Sequence, residues 1–179
     1  MCQYDHCTLI DILLNSKTID INQNEITIKN NLEKNSKKII QKSPLLISIE
    51  KRNDETVDLL LSNDKIDINH IYDNNEISER DQLAETSEQT SLHICIESED
   101  IGTIKLLLKS DKLDVNIPTI TTIKNRTFTP SHFDQIKRTA LVAAIENENA
   151  EIVKLLLSRK ELNINATSFI DFHCIQSIH

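Results

Sequence analysis

The chain repeats itself with a long and nearly constant period, and no other feature restricts its fold as strongly. Three blocks align without gaps, at residues 43–69, 90–116 and 139–165, and a shorter copy precedes them. The copies end in asparagines that lie 47, 47 and 49 residues apart, at Asn22, Asn69, Asn116 and Asn165. A unit of this size cannot bury its own apolar face, so copies at such a period indicate a stack with one continuous core.

Each block has the pattern of two short helices. The first follows a Ser or Thr that can accept a hydrogen bond from a free helix N–H group, namely Ser43, Thr90 and Thr139. Apolar residues recur at helical spacing in both halves of the block, with a charged break between them. Helices of about eight residues are marginal alone in water, so each pair needs neighbouring copies.

Two of the blocks carry a specific motif. The second full block has Thr90, Leu92 and His93 at its first helix and ends in Asp114-Val115-Asn116, while the third carries Glu151-Ile152-Val153-Lys154-Leu155-Leu156-Leu157. These residues resemble the ankyrin repeat. The resemblance implies an all-α fold, an ankyrin-like solenoid of stacked helix-turn-helix repeats with extended hairpin or loop fingers. Another helical solenoid, such as a HEAT-like array, is the alternative, and the fixed position of the Asp-x-Asn ending argues against it.

The same alignment predicts one array over residues 1–179. Its parts are a partial repeat at 1–22, a linker at 23–42, a repeat at 43–69, a linker at 70–89, a repeat at 90–116, a linker at 117–138, a repeat at 139–165 and a tail at 166–179. The linkers make the period longer than the roughly 33 residues of the family. Linkers of this length without structure of their own are usually functional or disordered.

The three linkers alternate in charge, with net values of +3 for Gln23–Lys42, −5 for His70–Gln89 and +3 for Ile117–Arg138. Neighbouring fingers of opposite sign would attract each other and dock. The alternative is three solvated loops, because exposed ion pairs contribute only about 0–1 kcal/mol each.

The aromatic residues lie outside the helical blocks. Tyr72, Phe128 and Phe133 are in the linkers. Aromatic side chains are typical anchors of protein interfaces, and they also form small clusters that pin a loop to its own repeat. Both interpretations stay open on the sequence.

The glycines of the family pattern are replaced. Arg52, Glu99 and Glu148 hold the position between the two helices of each block, and Gly102, the one glycine of the chain, lies elsewhere. Because glycine adopts a left-handed backbone most easily, the sequence predicts looser turns.

Composition excludes several function classes. With one glycine the chain has no phosphate-binding loop or dinucleotide fingerprint, and a net charge of −8 argues against nucleic-acid binding. No stretch has the length of a membrane span, and no secretory signal is visible, which predicts an intracellular, cytoplasmic protein with free thiols. We expect no cofactor, no metal and no catalysis. His6-Cys7 and His173-Cys174 are isolated pairs, and His93 with Cys95 fits a structural role.

The resemblance implies a protein–protein interaction module that binds through its finger tips and the concave helix face. The positions it carries over are Lys42, Glu50, Lys51, Gln89, Glu97, Ser98, Arg138, Glu146 and Asn147, to which we add the linker aromatics Tyr72, Phe128 and Phe133. One glutamate per repeat, at 50, 97 and 146, predicts a partner with a basic patch, unless these residues only form a solvated face. The alternatives are a structural spacer of a longer array or a non-catalytic part of a larger enzyme, and the oligomeric state stays open.

Overall fold

The structure, a computed structural model, describes residues 20–31, 36–78, 83–125, 132–166 and 168–174. Within these ranges six helices form three consecutive pairs: α1 (Pro44–Glu50) and α2 (Asp54–Leu61), α3 (Ser91–Glu97) and α4 (Ile101–Leu108), α5 (Ala140–Glu146) and α6 (Ala150–Leu157). The same ranges contain seven strands, which lie before, between and after the helix pairs: β1 (Glu25–Asn31), β2 (Ser36–Lys42), β3 (Ile71–Ser78), β4 (Leu83–Thr90), β5 (Thr119–Asn125), β6 (His132–Arg138) and β7 (Phe169–Cys174).

Side-chain caps begin two of the three first helices as the sequence predicts, whereas Thr90 makes no side-chain capping bond and its hydroxyl contacts His93 Nδ1 instead. The hydroxyl of Ser43 accepts a hydrogen bond from Leu46 N at 3.3 Å, and Thr139 accepts one from Val142 N at 3.3 Å. Each second helix is capped by the residue before it, and Asn53 Oδ1, for example, accepts from Thr56 N at 3.1 Å. Such caps satisfy N–H groups that have no partner within the helix.

The turns inside the helix pairs hold three charged residues in the left-handed region. Arg52, Glu99 and Glu148 have φ values of 52°, 53° and 54°. In the first turn Arg52 N donates to Ile49 O at 2.9 Å, and the next residue donates to Ser48 O at 3.0 Å. These two bonds define a Schellman motif, and both recur in the other two pairs. The expectation of looser turns is therefore wrong, because the hydrogen bonds and the following cap keep the tight geometry without glycine.

The helix pairs pack into one aliphatic core. It is formed by small and branched side chains at equivalent positions of successive repeats, and its most buried members, at 0% exposure, include Leu45, Val57, Ile96, Ile104, Leu107, Ala144, Ile152 and Leu156. Burial of each large side chain contributes about 1.5–3 kcal/mol, so the stack provides the stability that a single pair lacks.

Asparagines at the ends of the repeats join each copy to the next. Asn69 Nδ2 donates to Lys112 O at 2.8 Å, and its Oδ1 accepts from Asp114 N at 2.8 Å. Asn22 makes the same two contacts with Lys65 O and Asp67 N at 2.8 Å each, and Asn116 makes them with Glu161 O at 2.9 Å and Asn163 N at 2.7 Å. The regular asparagine position in the sequence thus corresponds to a ladder of hydrogen bonds along the stack.

The expected all-α fold class is wrong, because the three linkers form β-hairpins. Their six strands and β7 of the tail make one antiparallel seven-stranded sheet in the order β1-β2-β3-β4-β5-β6-β7. Residues of hairpins from different repeats pair directly, as Ile39 does with Asn75 and Thr86 with Thr122. The strands are rich in Ile and Thr, which favour extended backbone, and the edge of each hairpin carries free N–H and C=O groups that the next hairpin satisfies.

The neighbouring fingers are therefore docked and not separate loops. The main-chain pairing of β2 with β3 and of β4 with β5 holds them together. One exposed ion pair, between Lys38 Nζ and Glu76 Oε2 at 3.4 Å, adds an attraction between the basic first finger and the acidic second finger.

Candidate protein-binding surface

Three pairs of predicted binding residues meet where the fingers join the first helices, and we call this set the concave row. Lys42 forms an ion pair with Glu50, Gln89 Nε2 donates to Glu97 Oε1 at 2.6 Å, and Arg138 Nε lies 3.4 Å from Glu146 Oε2. Each pair joins the last or next-to-last residue of a finger to the end of a helix. Because the first helices of successive repeats pack on each other, the three pairs lie side by side along the face where the resemblance predicts the concave surface.

The middle pair of the concave row differs from its neighbours in charge. The carboxylates of Glu50 and Glu146 each face a cation, whereas Glu97 faces the neutral amide of Gln89. Glu97 is therefore the one glutamate of the concave row without a cationic partner in the row, and it lies between two ion-paired glutamates. The sequence shows the three glutamates, but their different partners become visible only in the structure.

The remaining predicted polar positions lie at the ends of the first helices. Ser98 Oγ donates to Ile94 O at 2.9 Å, and Asn147 Nδ2 donates to Ile96 O of the preceding repeat at 3.0 Å. Lys51 is exposed at the C-cap of α1. Ser98 therefore bonds within its own helix and Asn147 bonds to the preceding repeat, although both residues are exposed.

Tyr72 lies inside the molecule. Its side chain is 0% exposed, its hydroxyl is 2.6 Å from Ser43 Oγ and 3.3 Å from Ser91 Oγ, and its ring contacts the ring of His70 edge-on at 4.9 Å. Burial raises the pKa of the Tyr72 phenol, although the two serine contacts lower it. For Tyr72 the structure favours the pinning interpretation, because the residue fixes the second finger to two repeats at once.

The other two linker aromatics are Phe133 and Phe128. Phe133 lies in β6, where its backbone pairs with Lys124 and His173, and its side chain lies outside the described part of the chain. Phe128 lies entirely outside the described residues.

Two acidic residues of the second finger were missed by the sequence analysis. Glu76 and Glu85 are directly opposite each other in β3 and β4. Because side chains alternate between the faces of a strand, Glu85 shares a face with Gln89, which contacts Glu97 in the concave row. Period-two spacing of Glu85, Ser87 and Gln89 is the signal that would have found this extension.

His93 and Cys95 are core residues. His93 is 1% exposed, and its Nδ1 lies 2.9 Å from Thr90 Oγ1. Burial lowers the pKa of His93 to about 4, and burial, reinforced by Asp100, raises the pKa of the Cys95 thiol to about 12. At neutral pH the imidazole is therefore uncharged, and the thiol is protonated and a poor nucleophile.

No metal-binding group of three or more His, Cys, Asp or Glu residues occurs within the described ranges. Of the two His-Cys pairs considered from the sequence, His6-Cys7 lies outside those ranges. His173 and Cys174 belong to β7, and their side chains are not described. In the same part of the chain, no helix is long and apolar enough to cross a membrane.

Comparison with known proteins identifies the family of this chain. A family model of ankyrin repeats, in three copies, matches residues 74–168, which is more than half of the chain. The chain therefore belongs to the ankyrin repeat family, as the resemblance in its sequence predicted. No significant match is found among curated proteins or among solved structures. Ankyrin repeats are generally non-catalytic protein–protein interaction modules.

Proposed function

We propose that this chain binds a partner protein through the concave row and the adjoining face of the second finger, and that the partner presents a basic segment to Glu97. The observation that carries the proposal is the neutral partner of Glu97. A cation of the partner would gain a charge-assisted hydrogen bond there, whereas at Glu50 or Glu146 it would compete with Lys42 or Arg138.

The second finger extends this acidic surface. Glu76 and Glu85 face each other across the strands, and like charges in this position repel. Only Glu76 has a basic neighbour in the described chain, Lys38 at 3.4 Å. A partner with two basic residues in an extended segment would relieve the repulsion at Glu85 and neutralise Glu97, which supports a basic peptide as the ligand.

The test uses a displayed library of random peptides, selected on the full chain, followed by calorimetric titration of the best binder. Selected sequences are expected to be enriched in Lys and Arg. Both Glu97→Gln and Gln89→Lys are expected to weaken binding about tenfold, because each removes the free charge, one by deleting it and the other by pairing it. Glu88→Gln is the matched control, since Glu88 lies on the opposite sheet face of the same finger. Selection of acidic or uncharged peptides, or equal effects of the three variants, would reject the proposal.

A second candidate function, a spacer within a longer array, is favoured by one observation. Ile21, Ile68 and Val115 occupy the same position in successive repeats and are 7%, 3% and 1% exposed, whereas Ile164 at that position in the last repeat is 66% exposed. In the earlier repeats this position is covered by the repeat that follows. In the last repeat the same position is exposed, as expected of a surface on which a further copy stacks. Replacing residues 166–179 by a second copy of 117–165 is expected to raise the unfolding midpoint and to protect the Ile164 amide from hydrogen exchange. An unchanged midpoint would argue against the spacer.

We further propose that residues 1–179 form a single array and that the protein is intracellular. The asparagine ladder from Asn22 to Asn163 supports the first. The buried free thiol of Cys95 is compatible with the second.

A further inference from the structure

The first strand of the sheet combines a free edge with an unusual exposure of apolar residues. In the described part of the chain β1 pairs only with β2, so its other edge has no strand beside it. Ile26 and Ile28 are 62% and 54% exposed, and Ile28 lies directly opposite Ile39 of β2. Natural sheets usually protect such an edge, because its free N–H and C=O groups are a template for another strand.

The two charged residues of β1, Glu25 and Lys29, lie at equal distances on either side of Thr27. Residues 25–29 read Glu-Ile-Thr-Ile-Lys, with an acid at one end, a base at the other, two isoleucines between them and a threonine in the middle. Alternation places Glu25, Thr27 and Lys29 on one face of the strand, and Ile26 and Ile28 on the other.

Antiparallel pairing of this segment with itself makes every cross-strand pair complementary. With a two-fold axis at Thr27, Glu25 lies opposite Lys29 of the partner subunit, and Ile26 lies opposite Ile28 of the partner subunit. Opposite charges and β-branched apolar pairs are both stabilising across strands. An interface on a two-fold axis forms each of these contacts twice.

The free chain also has an electrostatic reason to accept this pairing. Lys29 lies directly opposite Lys38 of β2, so two like charges face each other. Lys38 is paired with Glu76 on the other side, whereas Lys29 forms no ion pair within the described residues. Glu25 of the partner subunit would occupy the open position beside Lys29 and supply the acidic partner that Lys29 lacks, as Glu76 does for Lys38.

We propose that two copies of this chain associate through β1, pairing residues 25–29 antiparallel around a two-fold axis at Thr27 and extending the sheet across both molecules. This surface is at the edge of the first finger. The inference is independent of the proposed binding of a basic partner at Glu97.

The first test is the sedimentation of the full chain over a range of concentrations. A reversible dimer with weak affinity is expected, because the paired segment is short. A chain that stays monomeric at every concentration would overturn the proposal, and so would a monomer that instead binds an extended acidic peptide at this edge.

Charge exchange then identifies the surface. Glu25→Lys and Lys29→Glu each place like charges opposite each other in the dimer, and each is expected to raise the dissociation constant about tenfold or more. An equimolar mixture of the two variants forms complementary pairs again, as does the double variant Glu25→Lys/Lys29→Glu, so both are expected to recover association. Lys37→Glu is the matched control in the same hairpin, and circular dichroism checks that every variant is folded.

Two results would reject this interface. A dimer that is equally stable in both single variants places the contact elsewhere on the molecule. Loss of association in the single variants without recovery in the mixture and in the double variant shows that the charges act on the hairpin and not across a two-fold axis.

Discussion

Arg52, Glu99 and Glu148 show how single residues can be forced by their neighbours into unfavourable backbone. All three have positive φ, and a left-handed conformation costs a non-glycine residue roughly 1–2 kcal/mol. The two hydrogen bonds of each turn and the cap that follows hold them there. The sequence identified these positions, and the missing glycines predicted looser turns. The turns instead keep both hydrogen bonds, with the charged residues held in the left-handed conformation.

We therefore expect glycine at these positions to stabilise the fold. Arg52→Gly and Glu148→Gly should each raise the free energy of unfolding by about 0.5 kcal/mol, since relief of strain exceeds the greater flexibility of glycine in the unfolded chain. Urea titration measures the change. Lys51→Gly is the control, because Lys51 has φ −82° and glycine there should destabilise by about 0.5 kcal/mol. Destabilisation by all three variants would contradict the argument.

His93 makes the stability of the chain sensitive to acid. Burial lowers its pKa from 6.5 to about 4, so between these values the unfolded chain binds a proton that the folded chain does not. The contribution of His93 is complete above pH 6.5 and is lost as the pH falls towards 4. Since one unit of pKa corresponds to 1.36 kcal/mol, the expected loss is about 3 kcal/mol.

The comparison that isolates this effect is His93→Leu, which introduces the residue that Leu46 provides at the equivalent position of the first block. The difference in unfolding free energy between the two chains should change steeply from pH 6.5 to pH 4. A difference that is constant over this range would show that His93 is protonated equally in both states.

At the scale of elements, helix caps and repeat boundaries follow from short motifs, but the bonds of the asparagine ladder do not. Residue type and the apolar spacing that follows predict caps at Ser43, Thr90 and Thr139. Ser43 and Thr139 accept the expected hydrogen bond, whereas Thr90 does not. The Asp-x-Asn ending marked the repeat boundary, but its bonds to the next copy join residues about 45 positions apart. Contacts at such separation depend on how the copies stack, which motif spacing alone does not give.

The ladder predicts a contrast between asparagines with the same sequence context. Asn69→Ala and Asn116→Ala each remove two hydrogen bonds to the next repeat, with an expected cost of about 2 kcal/mol each. Asn165→Ala is the control, because the side chain at this position is exposed and forms no such bond in the described chain. Its effect should stay within about 0.5 kcal/mol. Thermal unfolding of the three variants measures the difference, and equal effects would show that the ladder is not stabilising.

At the scale of the whole molecule, Tyr72 connects the sheet to the stack. Its hydroxyl reaches Ser43 of one repeat and Ser91 of the next. Tyr72→Phe is expected to cost about 1–2 kcal/mol, because it leaves buried serine hydroxyls with fewer partners. In a double-mutant cycle with Ser43→Ala, the coupling energy should be about 1 kcal/mol. The conservative pair Ile71→Val and Ser43→Ala is the control and should be additive, and a coupling of zero for Tyr72 would show that the hydroxyl contact is not stabilising.

The sequence by itself determined the repeat period, the helix pairs, the caps at Ser43 and Thr139 and the ankyrin family, because these depend on local spacing and on residues that recur from copy to copy. Only the tertiary structure decided that the linkers form a sheet, that Glu97 alone in the concave row faces a neutral partner, and that Tyr72 is buried. The physical reason is that a linker rich in Ile and Thr favours extended backbone whether or not another strand pairs with it. Whether the edge groups of one hairpin are satisfied by the next depends on the distance between stacked repeats, and no single repeat contains that distance.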